Sequence, residues 1–167
     1  MAIKEIRKIG DPVLRGASRD VEKVDRGVLN LLKDMLDTLQ DEGGVGLAAP
    51  QIGITRRVII VRFEDKAETY INPEIEILDE NLVLGDEGCL SIYSIQGFQV
   101  GRSPRIKVKA LGINGSPVEF IAEDMLARIL QHEVDHLNGI LFIDHLDAES
   151  RMELLKKVGE KTSIQRR

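Results

Sequence analysis

With 167 residues, 43% hydrophobic and 31% charged, the chain is long enough to bury a core as one domain and has no apolar run long enough to span a membrane. A formal charge of −5 excludes a DNA binder that works through its overall field, since such domains are usually basic. The lone cysteine, Cys89, permits no intrachain disulfide, which together with a start lacking a signal-like apolar run predicts a cytoplasmic protein.

In chain order, Val28, Leu31, Leu32, Met35, Leu36 and Leu39 have the spacing of an amphipathic first helix, with Asp25 as N-cap and Gly43-Gly44 as the stop. From Arg57 to about Phe120 the pattern changes to short β-rich runs: Val58 to Val61, Tyr70 to Ile77, Leu82 to Leu84, and alternating Ile106, Val108 and Ala110. Asn114-Gly115 is a pair that tolerates positive φ in a hairpin turn. A second helix is predicted from Glu123 to Leu137, with Met125, Leu126, Ile129 and Leu130 on its apolar side and Asn138-Gly139 as its stop. A third begins near Ser150, which has capping-box spacing to Glu153, and carries Met152, Leu155 and Val158. Helix, strands, helix, helix predicts an α+β fold, with antiparallel strands packed around the second helix and with an N-terminal and a C-terminal helix. Residues 1–147 read as the body of the domain and 148–167 as a helical, basic tail.

Three segments carry chemistry. His132-Glu133-Val134-Asp135-His136 is an HExxH pattern on the second helix. Histidines four apart share a helical face and reach one metal ion, and Glu133 stands beside them. A tetrahedral site needs a third protein ligand. The extended peptidase motif fails, because position 142 is Phe142; Glu149, Glu153, His145 and Cys89 remain as candidates. Cys89 offers the strongest zinc or iron ligand, in Glu87-Gly88-Cys89-Leu90-Ser91. The third segment, Gly44-Val45-Gly46-Leu47-Ala48-Ala49-Pro50-Gln51, has little side chain to obstruct a peptide lying against its backbone.

In this order and at these separations, the three segments resemble the three signature motifs of the peptide deformylase family, and the helical tail resembles its bacterial class with a C-terminal helix. The resemblance covers about Ile6 to Leu146. It implies that Cys89, His132 and His136 bind Fe2+, with Zn2+ or Ni2+ able to substitute. It implies that Glu133 takes a proton from the attacking water and passes it to the departing amine, while the Gln51 side-chain amide and the Leu90 backbone N–H hold the oxyanion. Gly46 and Gly88 would flank the substrate backbone, and Val45, Met125 and Ile129 would line the methionine pocket. The implied substrates are N-formylmethionyl nascent peptides. Tyr93 departs from the family's proline, and the stretch to Arg102 is about one residue longer, which predicts an altered loop or bulge over Ser94 to Gly101.

Two rival readings stand beside this one. A zincin-like metallopeptidase would cut internal peptide bonds, and a catalytically silent metal-binding factor on the ribosome would cut nothing. From Arg151 to Arg167 the tail reverses the chain's sign, with Arg151, Lys156, Lys157, Lys161, Arg166 and Arg167 against Glu153 and Glu160. Contact with ribosomal RNA is therefore an expectation for it.

Overall fold

The structure, a computed structural model, describes residues 2–166. Helix α1 (Arg26–Glu42) starts where the Asp25 carboxylate accepts the Val28 N–H at 2.9 Å and ends at Gly43, whose φ of 67° is left-handed. Val28, Leu32, Met35 and Leu39 form its buried stripe, whereas Leu36, at the stripe's edge, is exposed.

Seven strands follow: β1 (Gly46–Ala48), β2 (Val58–Phe63), β3 (Lys66–Ile77), β4 (Val83–Glu87), β5 (Phe98–Arg102), β6 (Arg105–Leu111) and β7 (Pro117–Glu123). One antiparallel sheet has the order β1-β2-β3-β6-β7, and β4 pairs with β5 as a separate two-stranded sheet. Helix α2 (Asp124–Leu137) lies on the face of the larger sheet opposite α1. This explains the unbroken apolar run at the start of β2. Val58 and Ile60 belong to the core under α1, while Ile59 and Val61 belong to the core under α2. Burying each such side chain contributes about 1.5–3 kcal/mol. A third cluster, with Leu14, Ile92, Phe98, Phe142 and Leu154, fills the space beneath β5.

Several boundaries differ from the sequence expectation. Strands β1, β5 and β7 are additional, each short or starting at an edge-tolerated proline. In the β6–β7 loop only Gly115 is left-handed, at φ 76°, and Asn114 instead accepts the Ser116 N–H through its side chain. No bulge interrupts β4 and β5, whose register runs unbroken from Val83↔Arg102 to Glu87↔Phe98. The irregular backbone lies before β5, where Tyr93, Ser94 and Gly97 have positive φ.

Helix α3 (Ala148–Gln165) begins two residues before Ser150. Asp147 is its cap, accepting the Ser150 N–H at 2.7 Å, so the expected Ser150–Glu153 capping box does not form. Met152 and Leu155 are exposed, Leu154 is buried in the third cluster, and the expected Val158 packs against that cluster partly buried. Arg167, counted in the basic tail, lies outside the described residues.

Candidate active site

Helix α2 is amphipathic in an unusual sense, because His132, Glu133 and His136 are all buried along with its apolar residues. The other side of the site comes from the chain after β4. Cys89 leads into a short 3-10 turn (Leu90–Ile92), and its Sγ lies 3.3 Å from His136 Nε2. One donor atom from each of Cys89, His132 and His136 falls within 4.8 Å of the others. A thiolate and two imidazoles are a donor set suited to a divalent transition metal, and the buried His136 Nδ1 has no partner among the described residues. His145, Glu149 and Glu153 are not part of this cluster. His145 is 2.8 Å from Asp135 instead.

His132 is oriented from behind. Its Nδ1 donates to Glu87 Oε1 at 2.8 Å, leaving Nε2 for the metal side. Glu87 also accepts from Arg102 Nε and Nη2, each at 2.9 Å, and from Arg128 Nη1 at 2.8 Å. Burial alone would raise the Glu87 carboxyl, but hydrogen bonds and charge from Arg102 and His132 outweigh it and hold the group well below the usual carboxylate range. Burial works against the His132 imidazolium, yet bonds to Cys89 and Glu87 lift its pKa well above the ordinary value. His136 goes the opposite way: burial, with the nearby positive charges of His132 and Arg102, keeps it neutral.

Glu133 differs from Glu87 because no cation touches it. Burial pushes its carboxyl up to about 7, and its Oε2 is buried without a hydrogen-bond partner among the described residues. Gln51 stands in a 3-10 turn (Ala49–Ile52). Its Oε1 accepts the Ala48 N–H at 2.9 Å, which fixes the amide so that Nε2 points to Ser91 Oγ at 3.1 Å and Cys89 Sγ at 3.5 Å.

These groups open on a cavity of about 370 Å³. Gln51, Leu90, Cys89, His132 and Glu133 line it, as do Val45, Gly46, Gly88, Met125 and Ile129; His136 lies behind the wall. Val45 and Met125 are exposed at 58% and 56%, so the apolar side of the cavity is open to an incoming side chain. Gly46 lies on β1, at the sheet's edge, and Gly88 follows β4 directly. Sequence reasoning gave no role to Glu87, Arg102 or Arg128. A carboxylate two residues before the thiolate was a usable signal, whereas nothing local marks the two arginines.

The family model described as Polypeptide deformylase matches residues 3–152. A peptide deformylase of Dictyoglomus turgidum is 46% identical over 150 residues, covering 90% of this chain and 97% of that one. Peptide deformylase 1 of Clostridium acetobutylicum is 47% identical over 150 residues, covering 90% and 98%. Among solved structures, a peptide deformylase from Legionella pneumophila superposes with a TM-score of 0.92 at 38% identity, covering 99% of each chain.

Proposed function

The chain belongs to the peptide deformylase family and is a metal-dependent hydrolase acting on N-terminal formylmethionine; from that premise we propose how its residues share the reaction. The products are formate and a free amino terminus. The observation that carries this reading is the convergence of Cys89, His132 and His136 beside the uncompensated Glu133 carboxyl on one cavity.

Cys89, His132 and His136 would hold the ion, which we assign as Fe2+, with Zn2+ or Ni2+ able to replace it. A divalent ion there supplies Lewis acidity, polarising a carbonyl and easing loss of a proton from water. Glu133 accepts the proton of the attacking water and returns it to the departing amine nitrogen as the C–N bond breaks. A carboxyl with a pKa of about 7 is matched to both transfers. The Gln51 amide and the Leu90 N–H donate to the oxygen that gains charge. Leu90 opens a 3-10 turn, where no preceding carbonyl of the turn claims its N–H. Gly46 and Gly88 accept the peptide as an added strand, supported by the unpaired outer edge of β1. Val45, Met125 and Ile129 receive the methionine side chain.

The division into a catalytic body, 1–147, and a tail, 148–167, is supported by α3 burying only Leu154. A ribosome contact through that tail would use the exposed Lys156, Lys161 and Arg166; Lys157 pairs with Glu153, and Arg151 is bonded to carbonyls at Ile143, Asp144 and Leu146. No helix among the described residues is long and apolar enough to cross a membrane. We assign the protein to the cytoplasm, where nascent chains are made.

The deciding experiment compares formyl-Met-Ala-Ser with acetyl-Met-Ala-Ser. A slot built for a carbonyl carbon bearing only hydrogen must shift by about an ångström for an added methyl, on the order of a hundredfold in rate. Formate should be released far faster than acetate, with internal bonds intact. Comparable rates would overturn the reading, and so would internal cleavage that disappears in Glu133→Ala, which would mark a peptidase.

A further inference from the structure

On α2 the positions 125, 128, 129 and 132 form one stripe, spaced i, i+3, i+4 and i+7, and all four residues line the cavity. Met125 and Ile129 suit an apolar side chain, and His132 suits a metal. Arg128, one turn from His132, suits neither. Its side chain is only 10% exposed. Nη1 donates to Glu87 Oε2 at 2.8 Å and to the Val100 carbonyl at 2.7 Å, and Nη2 donates to the Val83 carbonyl at 2.6 Å. Gly85 makes room for this arrangement, since a Cβ there would come within 2.9 Å of Cζ, Nε and Nη2. Glu87 therefore neutralises the cation and β4 and β5 fix it in place. The Nε–H has no acceptor among the described residues, and it is not among the atoms sealed from solvent without a partner. Arg128 is one of the residues lining the cavity.

We infer that Arg128 sets a hydrogen-bond donor into the wall of the first-residue pocket, making it a specificity-determining residue. This rests on the deformylase reading above. The pocket selects a side chain whose far end accepts a hydrogen bond: methionine over norleucine, its hydrocarbon isostere, with tolerance for methionine sulfoxide. A purely apolar pocket cannot separate a thioether from a methylene of the same shape, and it rejects a sulfoxide because the S=O would be buried without a partner. A fixed donor reverses both tendencies, since a hydrocarbon leaves the donor unpaired and an oxygen satisfies it.

The test measures kcat/KM by formate release, with metal-loaded protein, on formyl-Met-Ala-Ser and its norleucine and methionine-sulfoxide counterparts. Methionine should exceed norleucine by about fivefold, a ratio in keeping with one modest hydrogen bond, and the sulfoxide should match or exceed norleucine. Arg128→Leu should erase the preference for methionine and disfavour the sulfoxide. If that variant does not fold, Gly85→Ala keeps the charge but presses on the guanidinium, and it should change the methionine-to-norleucine ratio. Equal rates for methionine and norleucine in the wild-type protein, with the sulfoxide far slower, would overturn the inference and leave the deformylase reading standing. No formate from any of the three peptides would remove both.

Discussion

Gly46 and Glu133 approach so closely that no side chain fits between them: a Cβ built on Gly46 overlaps the Glu133 carboxylate. The base of the site is therefore positioned by a backbone on the edge strand β1 as well as by its own helix. Gly46→Ala should push the carboxylate aside while leaving Cys89, His132 and His136 in place. Turnover should fall on the order of a hundredfold, because reacting groups displaced by about an ångström lose that much. Metal stoichiometry should stay the same. A Gly46→Ala protein with normal kcat would show that Glu133 does not need this contact.

Glu133 predicts the acid limb of the pH profile. With its carboxyl pushed up to about 7, the group is ionised above that pH and protonated below it, and only the ionised form accepts a proton from water. kcat/KM should therefore decline as pH falls through about 7, roughly tenfold per pH unit well below it. Glu133→Gln keeps the shape, should keep the metal, and should lose most turnover at every pH. A full-activity Glu133→Gln, or an acid limb that does not depend on residue 133, would remove Glu133 from the proposed role.

The two histidines were legible from the sequence because helical periodicity converts a spacing of four into one face, whereas Cys89 was one of four candidates for a third donor until the family resemblance singled it out. The support behind these ligands was not legible. Arg102 reaches Glu87 from β5, and Arg128 reaches it from α2, across separations of 15 and 41 residues. No local pattern encodes such pairings, which exist only once β4 and β5 have folded against α2. The same limit explains the third helix. Ser150 and Glu153 carried the capping spacing, but Asp147, placed by the turn before it, took the cap. In β2, the apolar run Val58 to Val61 was legible as a strand, but its burial on both faces, under α1 and under α2, appears only in the fold.

Metal retention should itself depend on pH. Ligation needs a neutral His132 and a Cys89 thiolate, while in the protein without its ion the His132 pKa lies well above the ordinary value, so protons compete for the site as pH falls. Dialysis against a chelator at falling pH should release the ion progressively, and raising the pH with added metal should restore formate release. Cys89→Ala and His136→Ala should each lose metal and turnover together. If the bound ion is Fe2+, activity should decay in air and survive when Ni2+ replaces it, because thiolate and ferrous ion both oxidise. An iron-loaded protein stable in air would argue against iron as the native ion.

Glu87 ties the chemistry to folding. It is 5% exposed and meets Arg102, Arg128 and His132. Its carboxyl is held well below the ordinary range, so the folded state binds its proton less readily than the unfolded chain. The stability this supplies is fully present above the unfolded value of about 4 and is lost as pH falls from there through the folded value. Glu87→Gln leaves Arg128 without its buried counter-charge and Arg102 with Asp135 alone, at 2.6 Å, and breaking a buried pair in this way typically costs about 3–5 kcal/mol. Denaturant unfolding at neutral pH should show a loss of that order for the variant, and the gap between variant and wild type should narrow as pH drops below about 4. Metal content followed in the same samples registers loss of the ion separately. A gap that stays constant down to the acid end would mean that Glu87 stabilises the fold by shape and hydrogen bonding without its charge, and the orientation of His132 would then have to come from elsewhere.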